Sequence, residues 1–593
     1  MISSESNASP DDVTPPEPGP TGAVGRVLGT EDATPLEFWV GIDPAAGQFL
    51  QLDNVVALER RLPDGRDVRI SGVVGQVRAR HEGARFDGDV FLVAGGVLPA
   101  ELAEAAQVQA TRFEPEVFVP PHPGAPVRRA TGVEREEALF FDGMRHRLPV
   151  GLSRAGEPVY ANLEFLDGTR GAHVNISGIS GVATKTTYAT FLLHSLFHSG
   201  VLGGEAHNTK ALIFNVKGED LLFLDHDNRL LDPIERSRYE ALGLSGTAFK
   251  SVELWAPPRR GATTAVPDTG ARLDGVGAFF WTLDEFCRDE LLPFVFADAA
   301  EDRQQYTMIV HHLTAKLRRE AVSLGDGGVR IEGRSARTFR DFVDILSDLL
   351  ESDDSASDWA GRAIGSGTIN AFLRRLHGTA KHMDHLIRGD LPNPDKHRIA
   401  REQQITVVDI HNLHDRAKRF VVGVVLRSTF EDKERSGQAR PLVFVVLDEL
   451  NKYAPREGFS PIKEVLLDIA ERGRSLGVIL IGAQQTASEV ERRIVANSAV
   501  RVVGRLDPAE ASRPEYGFLP PAQRQRALLA RPGTMFVSQP EIPVPLCVEF
   551  PFPAWATRPG EAGAPPSATM RSITQAADPF AVVGAGQPEE FPF

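Results

Sequence analysis

The chain has 593 residues, 42% of them hydrophobic, enough for several buried cores. Its net charge of −15 excludes a protein whose whole surface coats nucleic acid and confines any such contact to local loops. The two cysteines, Cys287 and Cys547, lie far apart with no metal or redox motif near either, so both are expected as reduced thiols of a cytoplasmic protein.

Residues 1–20, MISSESNASPDDVTPPEPGP, lack the basic start and apolar stretch of a signal peptide, and their Ser, Pro and acid content predicts a disordered tail. Residues 21–125 carry short alternating apolar runs broken by Gly, Pro and Asp: AVGRVLG, LEFWVGI, DVRISGVVGQVRA and GDVFLVAG. Such runs read as strands of a small N-terminal β-barrel or sandwich. After RHRLPVGLSR the grammar changes to apolar strands followed by helices: HVNIS, ALIFNV, ITVVDI, LVFVVL, VILIG and VRVVG. These β-branched runs predict parallel strands covered on both faces, an α/β nucleotide-binding core.

That core is expected in two parts, 126–283 and 396–556, around a helical insertion over 284–395 in which the strands stop. In the insertion, Phe339, Phe342, Ile345, Leu346 and Leu349 fall on one helical face. Residues 557–593 form an extended C-terminal tail, either disordered or docking its acidic, aromatic end on a neighbour. No apolar run approaches the roughly 18 residues needed to span a bilayer, so a soluble chain without membrane contact is expected.

Three motifs carry chemistry. In GISGVATKTT, Lys185 and Thr186 stand as in the phosphate-binding pattern G-x-x-x-x-G-K-[ST], but Thr184 replaces the glycine before the lysine and Gly178 comes one position early. The strand before it and the amphipathic helix after it suit a loop whose N–H groups face a phosphate, and an ordinary strand–loop–helix is the alternative. Gly178, Gly181, Val182, Ala183, Thr184, Lys185, Thr186 and Thr187 are the candidate nucleotide-binding residues. Second, the strand LVFVVLDEL ends on Asp448 and Glu449; such an acid holds Mg2+ with Thr186, and the adjacent Glu orients the attacking water. Third, ERGRSLGVILIGAQQ puts Arg472 and Arg474 before a strand that ends at Gln484, a candidate sensor of the γ-phosphate.

In this order the motifs resemble the HerA-type ATPases of the HerA/FtsK superfamily, over about residues 20 to 555. FNVKGED resembles the family's D-x-K-G-E segment with Asn215 in the Asp position, and IVANSAVRVVGRL its later block. The resemblance implies a HerA–ATP-synthase-type barrel before a RecA-like P-loop ATPase core, binding ATP and Mg2+. It implies a homo-hexameric ring that translocates double-stranded DNA beside a nuclease of the NurA type, in DNA end resection and repair. Arg472 or Arg474 becomes the finger reaching a neighbour's nucleotide, with Arg501 and Arg505 as substitutes. The family often has Arg where Gln485 stands. Alternatives are an ATPase of an anti-phage complex, a secretion or conjugation ATPase, which the lack of a membrane segment disfavours, and a hydrolysis-deficient nucleotide-binding scaffold.

Weaker signals are His377, His382 and His385 beside Arg374, Arg375 and Lys381, expected as surface histidines rather than metal ligands. With Lys316, Arg318 and Arg319 this basic cluster reads as a solvated face or as part of a nucleic-acid path.

Overall fold

The computed structural model describes residues 22–179, 185–272, 274–297, 304–352, 354–391 and 397–562. The tail 1–20 and most of the tail 557–593 therefore lie outside the described residues. The chain divides into two compact units: one holds residues up to Arg147 with Phe518–Arg526 and Ser538–Cys547, the other the remaining residues.

The first unit holds a closed six-stranded barrel. Its strands are Ala23–Val27, Glu37–Ile42, Val55–Arg61, Asp67–Glu82, Glu101–Glu114 and Pro126–Arg129, and the last closes it by pairing antiparallel with both Ala23–Val27 and Val55–Arg61. Alternate residues point inward, and Val24, Phe38, Val40, Val56, Leu58, Val68, Ile70, Ala106, Val108 and Val127 fill the interior. Gly25 is required by close approach, since a Cβ there would sit 2.2 Å from the Gly41 carbonyl oxygen. GDVFLVAG is not a strand: Asp89–Ala94 is helical, and Asp89 Oδ2 accepts the N–H groups of Arg85 and Phe86. None of that helix is buried, so its apolar run never met the core that would have selected an extended backbone.

The second unit is built on a sheet with eight neighbouring strands in the order Val276–Ala278, Val252–Ala256, Ile405–Asp409, Lys210–Asn215, Val443–Asp448, Val478–Gln484, Val174–Ser177 and Val500–Val503. Their pairings are parallel, and all but Val276–Ala278 and Val252–Ala256 at the edge are buried nearly throughout, as the unbroken β-branched runs require. Four further strands extend this sheet to twelve.

The insertion is not free of strands. Val322–Ser323, Val329–Ile331 and Arg334–Ala336 form a small antiparallel sheet under Phe339–Glu351. Strands of two or three residues, with Gly at 325, 327, 328 and 333, leave no period long enough to read. The Phe339–Glu351 helix opens on a capping box of Thr338 and Asp341, and Phe339, Phe342, Ile345, Leu346 and Leu349 are buried as the helical pattern predicts. Lys316 is not on a solvated face: it is buried and paired with Asp358.

Candidate nucleotide site

In a parallel sheet the loops leaving the carboxyl ends of the strands form the crevice. Here Val443–Asp448 and Val174–Ser177 flank Val478–Gln484, with Asp448 level with Ala483 and Ser177 level with Gln484. The ends of two motifs 262 residues apart thus meet, and Thr186 Oγ1 donates to Asp448 Oδ2 at 2.9 Å. Gly178 begins the loop without needing a positive φ. Its N–H donates to the Gln484 carbonyl and that of Ile179 to the Arg505 carbonyl, and a Cβ at 178 would press against Arg505 O at 3.2 Å. Gly181, Val182, Ala183 and Thr184 lie outside the described residues.

Lys185 opens the Lys185–His198 helix, is buried, and donates from Nζ to the Gly178 carbonyl at 2.9 Å. Burial lowers its ammonium to about 8; Asp448 and Glu449 pull it back up, while Lys217 opposes them.

Glu449 sits at φ 56°, ψ 42°, in the left-handed region that a non-glycine residue occupies at a cost of about 1–3 kcal/mol. Its N–H donates to Asp448 Oδ1 at 2.8 Å. Its carboxylate lies between Lys217 Nζ at 2.9 Å and Lys452 Nζ at 2.7 Å. Burial pushes its pKa up, but the hydrogen bonds from Lys452 and Lys217 outweigh burial and hold it below the usual value. Lys217 also stands 3.5 Å from Asp448 Oδ2, and these two carboxylates overcome burial to raise it.

A cavity of about 510 Å3 adjoins this cluster, lined by Lys185, Thr186, Thr187, Asn215, Lys217 and Asp448. Its other wall is the segment Phe552–Glu561, through Phe552, Pro553, Trp555, Thr557, Arg558 and Glu561. Trp555 is buried, and Glu561 Oε2 accepts from Thr557 N, Thr557 Oγ1 and Asn228 Nδ2. Lys217 and this wall are functional candidates that the motif reading missed. The FNVKGED match pointed at Asn215 and named no role for the lysine two positions on. Asn215 itself donates to Asp409 Oδ1 at 2.9 Å and to the Gly218 carbonyl, holding the turn that carries Lys217.

Gln484 is fully buried, and its Nε2 donates to Asn175 Oδ1 at 2.8 Å and Ser177 Oγ at 2.9 Å, toward the strand that feeds the loop. Arg472 pairs with Glu434, and Arg474 donates to the carbonyls of Gly168 and Thr169. Both precede Val478, which is level with Val443 at the strand's start, so they lie at the sheet edge opposite Asp448 in the same chain. The five residue steps from Val443 to Asp448 span roughly 17 Å.

No family model matches the chain. Among solved structures it is similar to VirB4 of Thermoanaerobacter pseudethanolicus, at 14% identity over 68% of this chain and 96% of that one, with a TM-score of 0.41. It is similar to the bacterial conjugative coupling protein TrwBΔN70 in its unbound monoclinic form, at 13% identity over 69% and 90%, TM-score 0.42. It is also similar to the plasmid coupling protein TrwB in complex with ADP and Mg2+, at 12% identity over 69% and 91%, TM-score 0.41.

Proposed function

We propose that this chain is an ATP hydrolase that uses Mg2+ and drives double-stranded DNA through a ring of six copies. The observation that carries the hydrolase reading is the Thr186–Asp448 hydrogen bond at the mouth of a nucleotide-sized cavity. The residues fit the ion. Mg2+ keeps most of its water and takes one or two protein oxygens, as a hydroxyl beside a carboxylate offers. Thr186 and Asp448 would hold the ion, which would supply positive charge against the negative charge that develops on the transferred phosphate. Lys185 leaves the Gly178 carbonyl to meet the β/γ-phosphates. Glu449 orients the attacking water once its carboxylate is released by Lys217 and Lys452. Gln484 registers the γ-phosphate through its bonds to the strand that feeds the loop, and Arg472 or Arg474 reaches the nucleotide of a neighbouring copy.

The ring, the DNA and a nuclease partner of the NurA type in end resection rest on the likeness of the motifs to HerA-type ATPases. The test is ATP turnover of the full chain with and without linear duplex DNA. Turnover raised by DNA supports a motor, and absence of turnover in both overturns it. Resection that requires this chain, a NurA-type nuclease and ATP together supports the nuclease partnership. A nucleotide-binding scaffold is the second reading, favoured by Thr184 in the glycine position and by the two lysines on Glu449.

A further inference from the structure

A second cavity, of about 320 Å3, opens in the same unit and is lined by Arg260, Gly261, Thr338, Arg340, Lys381, Asp384, His385, Arg388 and Asp390. It joins the turn after the Val252–Ala256 strand, the start of Phe339–Glu351 and the end of Ser366–Met383. Four cations face two carboxylates there, in a chain whose net charge is −15. Asp390 is bound by Arg388 at 2.5 Å, and Asp384 by Arg340 at 3.6 Å. Arg260 and Lys381 are exposed and have no acidic partner among the described residues. The walls are fixed: Arg388 donates to the Ala262 carbonyl and through its N–H to the Trp281 carbonyl.

The observation that points to an occupant is His385. The sequence placed it on the surface; it is 6% exposed, its ring lines the cavity, and it makes no hydrogen bond to a described residue. The ring opens on the cavity, so an occupant there comes within reach of its nitrogens. Asp384 Oδ1 is buried without a donor and opposes an anion unless the anion brings a proton to it. Burial first, then Arg260, Arg388 and His382, lowers His385 to about 4, so near neutrality it offers one N–H and one lone pair rather than a charge. The cations that add to burial in keeping the ring neutral also attract an anion.

We propose that this cavity binds a phosphate group, held by Arg260 and Lys381 and hydrogen-bonded by His385. A fork of guanidinium N–H groups and an ammonium suit phosphate oxygens. The group comes either from the backbone of duplex DNA, which rests on the translocase reading above, or from free phosphate.

The experiment compares the full chain with its Arg260→Ala/Lys381→Ala variant and with Lys381→Glu. Both change exposed side chains that do not line the cavity beside Lys185 and Asp448, so DNA-independent ATP turnover is expected unchanged. One arm measures duplex binding by anisotropy across salt concentrations; the other measures inorganic phosphate binding by calorimetry. Each phosphate contact contributes about 0.9 to the salt slope, so the double variant should lower it by roughly 2 and weaken binding more than tenfold at low salt. That result assigns the phosphate to DNA. An unchanged slope with phosphate binding reduced in both variants assigns it to free phosphate. DNA and phosphate binding both unchanged overturns the proposal. If the parent chain binds no DNA, the translocase reading fails while the phosphate arm still judges the cavity.

Discussion

Lys217 reaches across two strand ends to Glu449 Oε1 at 2.9 Å, and Lys452 holds the other oxygen at 2.7 Å. In this state the carboxylate assigned to water is neutralised on both sides. Lys217→Ala should therefore leave nucleotide affinity within a few-fold while shifting the acid limb of the kcat/KM profile upward, because Glu449 of the nucleotide-free chain loses one of the bonds that hold its pKa down. Rates at subsaturating ATP across pH check this, and an unmoved limb would place the attacking water elsewhere.

Glu449→Gln should retain ATP and slow cleavage by about 10²–10⁴-fold, the usual weight of a positioned proton acceptor. Rapid filtration of labelled ATP against product formation separates the two steps. Joint loss of binding and cleavage would assign Glu449 to the metal or to folding.

Lys185 should make nucleotide binding sensitive to pH. Burial lowers its pKa from 10.5 to about 8, so between those values the unfolded chain binds more protons than the folded one and stability rises with pH across that window. Phosphate binding selects the charged ammonium and so runs the other way: affinity should fall by up to about tenfold per unit above pH 8, with uptake of a proton. Calorimetry in buffers of different ionisation enthalpy measures that proton. Lys185→Ala should abolish both the dependence and turnover, and a persisting proton uptake would exclude Lys185 as its source.

Arg472 and Arg474 should act between copies if either is the finger. Mixing an Arg472→Ala or Arg474→Ala chain with a Lys185→Ala chain should restore part of the turnover, since some interfaces then hold one intact lysine and one intact arginine. In well-studied enzymes such an arginine contributes about 10³-fold or more. Full activity of both single variants would move the role to another residue, Arg501 or Arg505 among them.

Gly477→Ala should cost about 2 kcal/mol or more, read as a lowered urea midpoint. Its φ is +70°, and a Cβ there would lie 1.8 Å from the Ala439 carbonyl oxygen. An unchanged midpoint would mean that the turn between the Pro461–Leu476 helix and the Val478–Gln484 strand relaxes freely.

What the sequence made legible follows the range of each signal. Lys185, Thr186, Asp448 and Glu449 stand at ends of long apolar strands, where local pattern and chemistry coincide. Lys217 was silent because its partners depend on Lys210–Asn215 lying beside Val443–Asp448, a crossover that periodicity does not encode. The helix Asp89–Ala94 was misread because an apolar run between glycines fits either backbone when no core sorts its faces. His385 was taken for a surface residue, and the cavity it lines is shared with the Arg260 turn, more than a hundred residues earlier, which no local pattern reveals.

The wall made by Phe552–Glu561 has a practical meaning for anyone handling the protein. Trimming the chain before Phe552 to discard a low-complexity tail would also strip one side of the cavity beside Lys185 and Thr186 and expose Trp555's buried surroundings. A purification handle fused behind residue 562 would start beside Arg558 and Glu561, both of which line that cavity. Turnover measured on such material would report on the handle as much as on the chain, so the handle belongs at the amino terminus or must be cleaved before assay.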